Sequence, residues 1–328
     1  MTKPIDVLRV LCCLALGSVA ATPAAAAVRV AGGPPTGEFI TFARATCAAL
    51  GSLFSCNALV TQGSQDNLER LMLPLTDPLA VDFAFVQGNL ADQFQQQPGS
   101  HERFVLVRTI AREAVLMIMT PETAQAVKDW EGVNKSPFLL SMGLPGEKSG
   151  DTAAFRALQA IPCSPLKGLD VKQYQGRPEM IEAVRSGAVR IGWLVQYPNP
   201  DNDAFKLIAD KGLVVMGVVL KKTIADPCPV VIGGVDPDLE KLGGLFEVKD
   251  VAAAPTCWLW FCWPAQPIST TTIKPAILAR ASTTYPDAHS QGIQNSAIHA
   301  IQQAQEQDLL PKPSWSTALI TFLRRIFG

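Results

Sequence analysis

The segment Phe138–Leu158 constrains this chain more than any other. Phe138–Met142 is a short apolar run of strand length. Gly143, Pro145 and Gly146 interrupt it, Ser149, Asp151 and Thr152 offer N-caps, and Ala153, Ala154, Ala157 and Leu158 continue as a helix. A strand feeding a helix through a glycine turn leaves free backbone N–H groups and the positive end of a helix dipole at the strand's carboxyl edge. Such an edge suits an anionic group. An ordinary βα turn has the same pattern, so the other segments decide.

Residues 1–27 read as a cleaved secretory signal. Lys3 and Arg9 supply positive charge, Val10–Leu16 an apolar core, and Ala21–Ala27 the small residues for cleavage after Ala26 or Ala27. The apolar part falls short of the roughly 20 residues that span a membrane. An exported, periplasmic protein is expected. Lys3, Arg9 and Asp6 leave with the signal, so the mature chain carries 26 basic and 28 acidic residues, a net charge of −2. No long basic run remains, which argues against nucleic acid as a partner. No apolar stretch of spanning length remains either.

Six cysteines survive cleavage: Cys47, Cys56, Cys163, Cys228, Cys257 and Cys262. An even number in an oxidising compartment points to disulfides. The sequence-local pairs are Cys47–Cys56 and Cys257–Cys262, which would leave Cys163 with Cys228. No Cys-x-x-Cys remains and His101, His289 and His299 are scattered, so no metal site is expected.

The mature chain opens as a strand, Val28–Ala31, a glycine turn, Gly32–Gly37, and a helix, Phe39–Leu50. Gly-x-Gly-x-x-Gly is absent, so a dinucleotide cofactor is not implied, and no other cofactor is. Cys56–Val60 is a second strand, and Ser64 can cap the helix carrying Leu68, Leu71 and Met72. Val81–Gln87 is a mostly apolar central strand. Together they form a βαβαβ unit whose ligand edge lies at the strands' carboxyl ends. Phe104–Met119 divides into two strands around Arg108, Arg112 and Glu113, the second leaving the first lobe; Thr120–Trp130 is helical. Cys163–Gly176 is mostly turn, Pro178–Ser186 a helix, and Val189–Val195 a strand ending at Gln196 and Tyr197. Leu213–Leu220 is read as the return crossing to the first lobe. Pro255–Pro264, the aromatic peak, is read as packing a lobe face. Ser290–Glu306 is helical, and the amphipathic tail Trp315–Phe327 is read as docking on its own lobe. The fold expected is α/β and bilobal: lobe 1 from residues 28–115 and 221–328 with a C-terminal extension, lobe 2 from 116–220, joined by a two-segment hinge.

Five segments in this order resemble the periplasmic solute-binding proteins of TRAP transporters, in their TAXI branch, on the type II periplasmic-binding fold. They are Ala31–Phe39, Thr61–Asn67, Val81–Gln87, Gly143–Thr152 and Ser186–Trp193, and the resemblance covers roughly Val28–Leu220. It implies a solute held between the lobes, hinge closure, and delivery to membrane permease subunits. Three departures fall at the expected ligand edge. Glu38 and Phe39 stand where the family usually has two tyrosines, Glu147–Lys148 is inserted before Ser149, and Arg190 replaces a commonly acidic residue.

The ligand-facing residues expected are Thr36, Gly37, Glu38, Thr61, Ser64, Gln87, Lys148, Ser149, Thr152, Gln196 and Tyr197. Ser64, Ser149, Thr152 and Lys148 would receive the anionic end of a carboxylate or amino acid. Glu38, if it faces inward, would suit a cationic or zwitterionic solute. An enzyme on the same architecture is disfavoured: no Gly-x-Ser-x-Gly, His-Glu-x-x-His or P-loop spacing is present. A sensor that docks the liganded lobes on a membrane receptor is the alternative to transport.

Overall fold

A computed structural model describes residues 27–51, 53–127, 141–160, 164–199, 201–218, 220–221, 231–232, 246–252, 256–258, 261–263 and 267–310. Two sheets, each flanked by helices, form the two lobes expected of the bilobal type II periplasmic-binding architecture.

The first lobe starts with β1 (Val28–Ala31), α1 (Glu38–Leu50), β2 (Cys56–Leu59), α2 (Ser64–Met72) and β3 (Phe83–Gln87). It continues with α3 (Gly88–Gln95), α4 (Ser100–Arg103) and β4 (Phe104–Thr109). The chain then enters the second lobe as β5 (Glu113–Met119), followed by α5 (Pro121–Ala126), β6 (Ser141–Pro145), α6 (Gly150–Ala160) and β7 (Asp170–Tyr174). Next come α7 (Arg177–Arg185), β8 (Ile191–Gln196), α8 (Asp203–Asp210) and β9 (Val214–Gly217). Short strands follow: β10 (Leu220–Lys221), β11 (Val231–Ile232), β12 (Phe246–Ala252), β13 (Thr256–Trp258) and β14 (Phe261–Trp263). Last are β15 (Pro267–Ile273), β16 (Pro275–Arg280) and α9 (Ala288–Gln303).

The first sheet runs β2-β1-β3-β16-β4, with β1, β2 and β3 parallel and β16 antiparallel to both its neighbours. β3 is buried at every position, as the apolar run Phe83–Val86 requires of a strand covered on both faces. One face packs Phe39, Phe42 and Phe85 at ring separations of 5.9–6.2 Å, against Ile298 and Ile301 of α9. The second sheet runs β12-β15-β5-β8-β6-β7, with β9 paired to the far half of β5. Its core centres on Trp193, fully buried and edge-on to Phe155 at 5.2 Å.

Several elements depart from the sequence reading. β6 runs on through Gly143 to Pro145; a Cβ at Gly143 would sit 3.0 Å from Met180 and 3.1 Å from the Tyr174 ring, so this glycine admits α7 to the sheet. α2 begins at Ser64 with Gly63 as its N-cap, so Ser64 is not the cap. Asp170–Tyr174, read as turn, is a parallel edge strand, half-exposed and too polar to show an apolar period. The chain does not cross back at Leu213–Leu220: β9 stays in the second sheet, and the return falls at Lys274 between β15 and β16. A β-prone run looks the same whether it borders one sheet or leaves it. The outward crossing lies at Ile110–Arg112, where Ala111 has φ +48° and its N–H donates to Glu306 Oε1 at 2.7 Å. A non-glycine residue in this region is uncommon, and here it marks one hinge segment.

Cys47 of α1 and Cys56 of β2 form a disulfide. β13 and β14 pair antiparallel with Cys257 opposite Cys262 in backbone register. Cys163, Cys228 and the tail Trp315–Phe327 lie outside the described residues. Removing the nine-residue-separation bridge with Cys47→Ala/Cys56→Ala is expected to lower the unfolding free energy by about 2–3 kcal/mol, chiefly by freeing the unfolded chain. Urea unfolding of the oxidised parent and the variant measures this directly; a loss below about 1 kcal/mol would contradict it. Among the described residues no helix is long and apolar enough to cross a membrane.

Candidate functional site

The turns after β1, β2, β3, β6 and β8 converge between the two lobes. Two connected spaces lie there. The inner one, about 30 Å³, is lined by Glu38, Gln87, Glu113, Ser149, Asp151 and Arg177 among others. The outer groove, about 560 Å³, shares Pro34, Ser149, Asp151 and Arg177 with it and adds Thr36, Thr61, Gln62, Gln173 and Gln175.

Arg177, at the first residue of α7, organises the inner space. A cation at a helix N-terminus faces the unfavourable end of the dipole, so it needs partners elsewhere. Asp151, at the favourable end of α6, takes its Nε and Nη2 in two parallel bonds of 2.9 Å. Nη2 also donates to Val195 O at 2.8 Å, and Nη1 donates to Thr36 O at 3.1 Å and to the Gln196 side-chain carbonyl. All five guanidinium N–H donors are thereby engaged. Burial opposes the charge of Arg177, yet Asp151 beside it, with Glu113 and Glu38 farther off, holds its pKa above the ordinary value.

Glu113 begins β5 and accepts from Gln87 Nε2 at 3.1 Å. Burial raises its pKa well above the usual carboxylate range; Arg177 and Gln87 pull it back by more than Asp151 and Glu38 push it up, without undoing the effect of burial. Glu38 is 2% exposed at the start of α1. Its Oε1 accepts from Asn202 at 2.8 Å and Asn199 at 3.3 Å, while Oε2 has no hydrogen-bond partner. Burial pushes its pKa up; the two asparagines, Arg177 and, most weakly, Thr41 pull it back. Gln87 Oε1 and Gln196 Nε2 are also buried without partners.

A carboxylate with a raised folded-state pKa contributes most to stability while protonated. The contribution of Glu113 is complete below about 4.5 and is lost as pH climbs from there through its higher folded value. Glu113→Gln is therefore expected to flatten the decline of stability with rising pH by up to about 1.4 kcal/mol per pH unit across that window. Urea unfolding across a pH series measures it; an unchanged slope would contradict the burial of an ionisable Glu113.

The lobes meet through these groups. Besides Arg177 with Thr36 and Glu38 with Asn202, Gln65 N–H of α2 donates to Lys148 O at 3.1 Å, and Lys148 Nζ reaches Glu69 of α2 at 2.5 Å. Gly63, with φ +127°, lies against Ser149, where a Cβ would approach its Cα to 2.9 Å.

Of the residues expected at the ligand edge, Gly37, Glu38, Gln87 and Ser149 line the inner space, and Thr36, Thr61 and Ser149 the outer groove. Ser64 accepts from Gln87 N–H at 3.2 Å. Ser149 caps α6 by accepting from Thr152 N–H at 3.1 Å, and Ser149 and Thr152 both donate to Pro145 O. Gln196 meets Arg177 rather than open space. Tyr197 packs edge-on to Phe42 at 5.6 Å and lines a pocket beside the hinge. Sequence reasoning passed over Arg177, Asp151 and Glu113 as site residues. Two signals were present: an arginine opening a helix, and a charge set inside an apolar strand run.

No protein-family model matches the chain, and no curated protein matches it in sequence. Among solved structures, it is similar to a protein of R. palustris solved with adipate, at 14% identity over 91% of this chain and 93% of that one, TM-score 0.47. An amino acid ABC transporter substrate-binding protein from Streptococcus pneumoniae bound to L-arginine is similar at 12% identity over 86% and 92%, TM-score 0.43. So is the OxyR2 regulatory domain from Vibrio vulnificus, at 11% identity over 88% and 99%, TM-score 0.43. These values assign neither an activity nor a ligand to this chain.

Proposed function

We propose that this chain is an exported, periplasmic solute-binding protein that captures a small zwitterionic or anionic organic solute between its lobes and delivers it to the permease subunits of a TRAP-type transporter. The observation that carries this reading is the cleft, where polar turns from the carboxyl ends of both sheets enclose unpartnered buried polar atoms. The secretory pattern of residues 1–27 and the TAXI-like order of the five segments support it. The absence of a nucleophile–base grouping in the sequence disfavours an enzyme.

Ligand bound only to the folded state stabilises it by RT ln(1 + [L]/Kd), about 2.7 kcal/mol at a hundredfold excess. A thermal-shift screen of residues 28–328 against amino acids, dicarboxylates, keto acids and sulfonates is expected to give a large shift confined to one chemical class. A folded protein that no member stabilises would contradict a solute-binding role.

A further inference from the structure

The inner space is not built to greet a carboxylate. Arg177 has no donor left, the Ser149 and Thr152 hydroxyls donate to Pro145 O, and Ser64 Oγ accepts from Gln87 N–H and is not part of the lining. Lys148 is paired with Glu69 at the cleft's edge. The buried side-chain atoms that its lining leaves without a partner are acceptors. Glu38 Oε2 and Gln87 Oε1 are buried and unpartnered, on residues 2% and 1% exposed, and both residues line it. Glu113 lines it as well, 2% exposed. Three carboxyl groups, Glu38, Glu113 and Asp151, lie around a single guanidinium, and Asp151 alone takes its paired bonds, so Glu38 and Glu113 have no cation of their own. The volume of about 30 Å³ exceeds the roughly 10–15 Å³ that one water requires, so a small head group fits.

From this geometry, and resting on the solute-binding reading above, we infer that the inner space is a subsite for a protonated primary amine. The solute enters the cleft ammonium-first and donates to Glu38 Oε2 and Gln87 Oε1, with its remaining body in the outer groove. A water also fits the volume and is the occupant the ammonium displaces; an ammonium brings three donors and can pair with the Glu38 carboxylate, whereas a water brings two donors and no charge. Among the described residues no group of three His, Cys, Asp or Glu side chains is arranged for a metal ion, which separates this subsite from a metal site. An ammonium group supplies three donors in a compact head and matches the two unpartnered acceptors, Glu38 Oε2 and Gln87 Oε1. A buried bond to a charged group discriminates strongly, because omitting the donor leaves the acceptors desolvated and unmatched.

The test is calorimetric titration of residues 28–328 with matched pairs: L-glutamate and glutarate, 4-aminobutyrate and butyrate, putrescine and 1,4-butanediol. Wherever a pair binds, the amine member is expected to bind about tenfold tighter or more. Glu38→Gln, nearly isosteric, is expected to weaken the amine member about tenfold while leaving its partner unchanged, in a protein whose melting temperature is not reduced. Equal or tighter binding of the amine-free members, or no effect of Glu38→Gln, would overturn the ammonium subsite and leave the solute-binding reading standing. Binding of no pair member at millimolar concentration, by a folded chain, would overturn the ammonium subsite, and the solute-binding reading falls with it where the wider thermal-shift screen is also blank.

Discussion

Replacing Arg177 with alanine is expected to lower the unfolding free energy by about 3–5 kcal/mol, the usual consequence of leaving a buried charge without its partner. Asp151 is 3% exposed and takes two of the guanidinium's bonds, while its Oδ1 also accepts from Val195 N–H at 2.7 Å. Removing the cation leaves that carboxylate, together with Glu113 and Glu38, in one low-dielectric enclosure. The Val195 carbonyl and the Gln196 side chain lose their donor in the same step. An Arg177→Met/Asp151→Leu double variant removes both charges and fills the volume, so it is expected to lose less than Arg177→Ala alone; buried ion pairs replaced together are often close to neutral. Urea unfolding of the parent, the single and the double variant measures both statements. A loss below about 1 kcal/mol for Arg177→Ala would show that the network is solvated.

Gly63→Ala is expected to act on closure. At φ +127° and ψ −159° the residue occupies backbone space open essentially to glycine, and a side chain there costs about 1–3 kcal/mol. Its Cβ would also stand 2.9 Å from Ser149 Cα and 3.2 Å from Lys148 O, which are backbone atoms of the opposite lobe and cannot swing aside. The lobes must separate to accommodate it. A closed, liganded state is disfavoured relative to an open one, so affinity for whatever solute binds is expected to fall about 10- to 100-fold, with a larger radius of gyration in small-angle scattering. Gly99→Ala is the control: φ is +75°, but nothing lies within 4 Å of its Cβ, so it carries backbone strain without obstruction. Equal loss of affinity in both variants would mean that strain, not closure, is being measured.

What could be read from the sequence was local and periodic. β3 was legible because Phe83–Val86 is apolar on both faces, and α1 because its apolar residues fall on one side. The glycine turns marked where the two lobes approach each other: a Cβ at Gly63 would meet backbone of Ser149 and Lys148, and one at Gly150 the side chains of Gln87 and Ser64. Cys47–Cys56 was one sequence-local candidate among the fifteen pairings that six cysteines allow, and that bridge is formed. Long-range partners were not legible. Arg177 lies 26 residues from Asp151 in sequence, and nothing local in either residue names the other. Ser149 and Thr152 showed hydroxyls at a turn, which fits an anion receptor and a self-capped helix equally; the bonds to Pro145 decide for the cap. Leu213–Leu220 failed as a crossing because composition records β-propensity and not the sheet that receives the strand.

The most direct measurement is native mass spectrometry of residues 28–328, stripped of solute by unfolding and refolding, then exposed to pooled amino acids, amines and dicarboxylates. A solute-binding cleft closed by the Arg177 and Gly63 contacts retains one compound at one-to-one stoichiometry, and retains it poorly in the Gly63→Ala variant. A folded protein that keeps no compound, or keeps several equally in both forms, would contradict a selective cleft between the lobes.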